Sequence, residues 1–319
     1  MQNVEAILQR YTKLVDPVIK KLLTEGVSKQ TRNLVQYQIN TGGKRLRPAL
    51  AILSCLACGG RIKDVLYPAS GLEILHTWSL IIDDMIDHSD KRRGKFTTWK
   101  KFGPSFAQCI GVQYGASLLQ AGARSPCSQT IAKLFAKTLK KVMDGEMEDV
   151  LFEQGGREDP YFKIHRAQHV TFKDYFSMIG KKTASLLEAS CEVGGIIAKA
   201  PKKIIQILKH YGWHLGIAFQ ITDDILDIYG KGELGKPVGQ DIRERKLGNI
   251  LVLFAKVKLK KTEVAKAIQA IKNTRARDLA FALARSHIKK AKSELLRLKS
   301  SPARNALREL ADYTLTRKK

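Results

Sequence analysis

What is missing from the sequence narrows its class before any motif is read. Nowhere in its 319 residues is there an uninterrupted apolar run of the roughly 18 residues that a membrane-spanning helix needs. The first twenty residues, MQNVEAILQRYTKLVDPVIK, include acidic positions and no compact apolar stretch, so they do not resemble a secretory leader and a cytoplasmic location is expected. Cysteine is sparse: Cys55, Cys58, Cys109, Cys127 and Cys191 are odd in number, which argues against a disulfide framework. Cys55 and Cys58 form a CxxC pair, yet they sit in the apolar run LRPALAILSCLACGG without a second pair or histidine to close a zinc site. Buried thiols are the expected reading. The glycine pairs at 59–60, 155–156 and 194–195 match neither a dinucleotide fingerprint nor a P-loop, so no nucleotide cofactor is expected.

Acidic residues are also few, 30 against 56 Lys and Arg, for a formal charge of +26. An excess of that size suits nucleic acid, an anionic membrane surface or polyphosphate substrates. The lysines recur as scattered pairs (20–21, 100–101, 181–182, 202–203, 260–261, 289–290) rather than in one block, which favours a solvated basic exterior over a nucleic-acid site. The basic, amphipathic C-terminal stretch leaves room for a peripheral contact with a membrane surface.

What is present is helical. At 44% hydrophobic residues the chain can bury a large core. Apolar residues at three- and four-residue intervals mark helices at 4–24, 46–58, 66–87, 127–153, 168–198, 247–273 and 276–298, and through IIQILKHYGWHLGIAFQITDDILDIYG. Alternating strands and hairpin patterns are lacking, and the interruptions at 89–95, 153–160 and 230–239 are short. A single all-α domain over 1–319, with about ten helices, is expected.

Two acidic clusters interrupt apolar helical runs: Asp83, Asp84 and Asp87 in DDMID, and Asp223, Asp224 and Asp227 in DDILD. Side chains four apart on a helix are neighbours, so each cluster sets like charges together, at a cost of a few tenths of a kcal/mol. Something positive should compensate. Hard oxygen donors without His or Cys suit Mg2+, which is usually shared between one or two carboxylates and phosphate oxygens. His76, nearly two turns before Asp83, shares its face, as does Gln220, one turn before Asp223. Arg92 and Arg93 follow the first cluster and can grip diphosphate oxygens as paired guanidiniums. Far upstream, GGKRLRP (42–48) opens a helix with a basic, glycine-containing start, a natural anion site. Carboxylates for metal and several separate cations imply two diphosphate-bearing substrates.

In this order the motifs resemble the trans-type polyprenyl diphosphate synthase family. GGKRLRPAL (42–50), LEILHTWSLIIDDMIDHSDKRRGKFTTWKKFG (72–103), GEMEDVLFE (145–153), GKKTASLLEAS (180–190) and FQITDDILDIYGKGELGKPVGQDIRERK (219–246) all fall in sequence. The resemblance implies a helical bundle around a deep central cavity and a Mg2+-dependent prenyltransferase. Such an enzyme condenses isopentenyl diphosphate with dimethylallyl, geranyl or farnesyl diphosphate. It implies that Asp83 and Asp87, with Asp84 beside them, and Asp223, helped by Asp224 and Asp227, hold about three Mg2+ ions. Arg92, Lys182 and Lys236 would contact the allylic diphosphate, and Lys44, Arg47, His76 and Arg93 the isopentenyl diphosphate. Thr183 and Gln220 would line the reacting centre. Lys246 falls where the motif departs from the family pattern, at Arg243–Asn249, and Trp99 stands where a histidine is common. Trp78, with Ser79 beside it, would form the cavity floor that sets product length. A bulky floor without an insertion in the first cluster implies geranylgeranyl diphosphate, with the farnesyl product next. Cyclases usually lack the second cluster and the Lys44/Arg47 site, and partner subunits that do no chemistry tend to lose aspartates. A homodimer is the family's usual state.

Overall fold

The computed structural model describes residues 4–230, 239–259 and 263–316. In chain order its helices are α1 (Val4–Thr24), α2 (Arg32–Asn40), α3 (Leu46–Ala57), α4 (Ile62–Ile86), α5 (Thr98–Phe102), α6 (Pro104–Ala123), α7 (Ser128–Leu151) and α8 (Pro160–His165). There follow α9 (Phe172–Ile179), a π-helical turn (Gly180–Ala184), α10 (Ser185–Ile197), α11 (Lys202–Tyr229), α12 (Gln240–Arg243), α13 (Ile250–Ala255), α14 (Val264–Lys272), α15 (Ala276–Leu295) and α16 (Pro302–Thr316). Twelve of these have eight residues or more, so the expected count of about ten is exceeded by short pieces and by breaks inside longer runs. The fold is all-α.

The centre is built from α3, α4, α10 and α11. On α4, Val65, Leu72, Ile74 and Leu75 on several sides are inaccessible, as befits a helix that is apolar nearly all round. Glycines let backbones touch: a Cβ on Gly194 of α10 would stand 2.5 Å from the Ala51 carbonyl of α3, and one on Gly216 of α11 would stand 2.4 Å from Ala184 Cα. Cys55 and Cys191 lie in this core, where burial pushes their thiols up to about 12. Cys58 is half-buried at about 11, so the CxxC pair is unreactive packing.

Two boundaries differ from the sequence expectation for physical reasons. The run 168–198 is broken by the π turn, a feature common at functional sites. The run 247–273 splits into α13 and α14, because Lys256 ends α13 in the left-handed region at φ 53°. Periodicity also passed over α6, whose apolar residues fall on all sides and so give no clear stripe. Among the described residues no helix is long and apolar enough to cross a membrane.

Candidate active site

Both aspartate clusters sit at the C-terminal ends of long central helices, α4 and α11, and face one cavity of about 820 Å3. Asp83, Asp87, Asp223, Asp224 and Asp227 line it, whereas Asp84, only 1% exposed, lies behind the wall. After α4 the chain forms a two-stranded hairpin, Lys91–Arg92 against Lys95–Phe96. Its turn residues Arg93 and Gly94 both have positive φ, 53° and 73°, as a tight hairpin turn of the favoured twist requires. Trp99 holds the loop by donating from Nε1 to the Ser89 carbonyl (2.9 Å). This hairpin delivers Arg92 to the first cluster. Its Nη2 lies 2.7 Å from Asp83 Oδ2, and its Nε 2.9 and 3.0 Å from the two oxygens of Asp84. Burial alone would lower the pKa of Arg92, but Asp83 and Asp84 outweigh it and hold the guanidinium charged.

The sequence reading missed a third set of carboxylates. Glu146, Asp149 and Glu153 recur at three- and four-residue spacing and are buried, on or just beyond α7. The π turn backs onto α7 at Gly145, where a Cβ would stand 2.4 Å from Lys182 N. That approach places Lys182 Nζ 2.8 Å from Asp149, 2.9 Å from Glu146 and 3.2 Å from Asp83. Lys246 reaches the same group from beyond α12, 3.2 Å from Glu244, 3.3 Å from Asp149 and 3.6 Å from Asp87. Burial opposes the charge on both lysines, yet the carboxylates, Asp149 foremost, raise both pKa values well above normal. Burial pushes Glu146 up to about 7. Arg157, in the loop after α7, donates to the Ile86 carbonyl (2.7 Å) and to Asp87 (3.3 Å), clamping the end of α4.

The second cluster is held differently. Asp224 accepts from the Tyr175 hydroxyl (2.9 Å), Ile250 N (3.0 Å) and Gln220 Nε2 (3.0 Å), and burial with Asp241 nearby raises its pKa well above normal. Asp227 accepts from Gln240 N (3.1 Å) and Asp241 N (3.3 Å), where α12 begins. Thr183, itself outside the wall, donates to Gln220 Oε1 (2.7 Å). Among the described residues no group of three or more His, Cys, Asp or Glu side chains closes into a metal cage. Carboxylates on opposite walls fit Mg2+ bound jointly by protein and phosphate oxygens.

At the other edge of the cavity stand Lys44, Arg47, His76 and Arg93. Between Lys44 and Arg47, Arg45 turns inward at φ 49° and is 4% exposed. It donates to Asp16 (2.7 Å), Glu73 (3.3 Å) and the carbonyls of Ile39 (2.9 Å) and Gly42 (3.1 Å), which pins the loop that presents its neighbours. Gly43 lies between two guanidiniums: a Cβ there would be 2.8 Å from Arg45 Nη1 and 2.9 Å from Arg93 Nη1. Arg93 donates to the Gly42 carbonyl, and Lys44 Nζ donates to the Tyr313 hydroxyl of α16 (3.1 Å). Burial, then Arg47 and Arg93, depresses His76 well below its usual pKa, so it is neutral. Trp78 and Ser79 do not line this cavity. The Trp78 indole instead packs on α6, 2.8 Å from where a Cβ on Gly115 would lie, and Ser79 Oγ donates to the His76 carbonyl. Lys236 lies outside the described residues.

Comparison with known proteins agrees with this arrangement. The sequence profile of the polyprenyl synthetase family matches residues 28–285. The chain is 32% identical to a short chain isoprenyl diphosphate synthase of Methanothermobacter thermautotrophicus, over 99% of both chains. It is 34% identical to heptaprenyl diphosphate synthase component 2 of Geobacillus stearothermophilus, over 87% of each. In structure it resembles the geranylgeranyl pyrophosphate synthetase of Pyrococcus horikoshii, with a TM-score of 0.87 at 31% identity over 99% of this chain and 98% of that one. With its profile match, its relatives and its two facing aspartate clusters in accord, the chain belongs to the polyprenyl synthetase family.

Proposed function

We propose that this protein is a prenyltransferase that joins isopentenyl diphosphate head to tail to allylic diphosphates and stops at geranylgeranyl diphosphate. The observation that carries the reading is one cavity with aspartates on two walls and a separate cationic edge at Lys44, Arg47 and Arg93. The allylic diphosphate lies between the aspartate clusters and the isopentenyl diphosphate at that edge, where neutral His76 can donate one N–H. Asp83, Asp87 and Asp223, with Asp84 and Asp227 in support, would hold Mg2+, which when bound would supply positive charge to the departing diphosphate. Arg92, Lys182 and Lys246 stand ready around that charge, and fixed cations in a dry site lower the barrier to breaking the allylic C–O bond. The isopentenyl double bond then attacks the allylic carbon, and the resulting cation loses a proton to the released diphosphate. Apolar neighbours such as Phe219 and Met178 shield the cation from water.

Product length is assigned to Trp78, about 7.5 Å before Asp83 along α4, which is outside the cavity wall but whose indole fills the gap between α4 and α6 and so would block extension of the cavity between these helices. The test is to incubate the purified protein with Mg2+, labelled isopentenyl diphosphate and each primer in turn, and to size the dephosphorylated products. A C20 alcohol from the native chain, and longer alcohols from Trp78→Ala, support the reading. An unchanged product from the variant removes Trp78 as the stop, and failure to elongate any primer removes the activity. The relative named as a component of a heptaprenyl synthase gives that last outcome a meaning: a subunit awaiting its partner.

A second copy of the chain would pack on α6. Its outward residues Ser105, Cys109, Val112, Ala116, Leu119 and Ala123 recur at alternating four- and three-residue steps, a seam suited to another helix. Val112 and Leu119, each 71% exposed, lie one above the other on this seam and would be covered by such a helix.

A further inference from the structure

The chemistry proposed above uses few of the 56 cations, and one part of the excess gathers on the outward face of a single helix. Between Glu263 and Ser300, ten residues are Lys or Arg and three are acidic, more than three to one, whereas the whole chain falls short of two to one. Most of this tract is α15. Ala276, Ala280, Ala284, Ile288, Ala291 and Leu295 turn inward and are buried. The opposite face is solvent-exposed along about 33 Å and carries Arg275, Arg285, Lys289, Lys290 and Arg297, against the single carboxylate of Asp278.

Of the nearby carboxylates, one offsets a cation of this face and another is engaged on a neighbouring helix. Glu294 pairs with Arg297 (2.6 Å), and Asp312 of α16 with Lys292 (2.7 Å). Arg285 lies over the Phe281 ring at 4.4 Å. Among the described residues Arg275, Lys289 and Lys290 are in no ion pair, so their charge is directed at solvent. Two large apolar side chains flank these cations on the same outward face, Leu279 at 44% and Leu296 at 67% exposure.

We infer that the outward face of α15 docks the protein on an anionic bilayer surface. Clusters of four to eight Lys and Arg on an amphipathic helix are drawn to acidic headgroups, each worth roughly fivefold in partitioning. Leu279 and Leu296 enter the boundary between headgroups and acyl chains, which adds apolar burial that Coulomb attraction alone does not give. The leucines separate this reading from nucleic-acid binding. A phosphate backbone offers them nothing, and the only aromatic side chain of α15 besides His287, Phe281, is half-buried beneath Arg285 rather than open for a base to stack.

The test is flotation of the full chain with phosphatidylcholine vesicles, with and without phosphatidylglycerol, at low and high salt. Binding is expected only with phosphatidylglycerol, and to weaken as salt screens the cations. R285E/K289E/K290E should lower partitioning roughly a hundredfold. K13E/K20E/K21E, the same charge change on exposed positions of α1, should lower it no more than about threefold, since those charges sit away from the docked face. L279S/L296S should bind more weakly, and the remaining binding should keep its salt dependence. Circular dichroism and thermal unfolding check that each variant is folded, and none alters a residue of the cavity. Equal binding to neutral vesicles, equal loss in the α1 and α15 variants, or no vesicle binding at all overturns the proposal. Retention on duplex DNA by a chain that ignores vesicles reassigns the face to nucleic acid.

Discussion

The two DDxxD clusters are near copies in sequence, yet the tertiary structure treats them differently. Around Asp83, Asp84 and Asp87 the partners are ions: Arg92, Lys182, Lys246 and Arg157. Around Asp224 and Asp227 the hydrogen-bond donors are dipoles: the Tyr175 hydroxyl, the Gln220 amide and the backbone N–H groups of Ile250, Gln240 and Asp241. The middle aspartates show the contrast best, since both are buried, Asp84 at 1% and Asp224 at 3% exposure. Asp84 is one half of a buried ion pair. Asp224, raised well above its usual pKa by burial and then Asp241, is a hydrogen-bonded strut joining α11, α9 and the start of α13. One motif can therefore serve as charge in one place and as scaffold in another. The partner, not the spacing, decides.

The comparison can be broken from either side. Asp83→Ala and Asp223→Ala, whose carboxylates line opposite walls, should each lower kcat/KM by about a thousandfold in steady-state assays. If only one of them matters, the two walls do not share the diphosphate. Asp84→Asn leaves Arg92 with Asp83 as its carboxylate partner and should destabilise the fold by about 2–3 kcal/mol in urea unfolding, whereas Asp224→Asn should cost about 1 kcal/mol. Equal losses would erase the distinction between ion and strut. Arg157→Gln loosens the end of α4 at Asp87 and should raise the Mg2+ concentration for half-maximal activity about threefold to tenfold, with weaker Mn2+ binding by electron paramagnetic resonance. Tyr175→Phe, which removes one of three donors to Asp224, is the mildest change, about 1 kcal/mol of stability.

Much of the cavity was legible in the sequence because its signals are local. Helical spacing alone put Asp83 with Asp87 and aligned His76 and Gln220 with their clusters, and the basic start at residues 42–48 does open α3. Arg45 was not legible. It looks like one more cation in Lys44–Arg47, and only Asp16 of α1 and Glu73 of α4 show that it faces inward. Glu146, Asp149 and Glu153 left a readable trace, acidic residues at helical spacing on a face that proves buried, but no residue nearby in sequence marks them as partners of Lys182 and Lys246. Trp78 was placed on the correct helix, but its contact with α6 depends on glycines more than thirty residues away.

By itself the sequence determined most of the helices and the two acidic clusters, because these follow from side-chain type at periods of three and four, and the order of its motifs pointed to most cavity cations through the family resemblance. It also determined the excess positive charge, without saying where that charge would gather. The tertiary structure alone decided which cation meets which carboxylate, which aspartates face the cavity and which lie behind its wall, and which side of α15 is left to solvent. Those outcomes depend on close helix approaches at Gly145, Gly194 and Gly216, contacts between residues distant in the chain that no local period encodes.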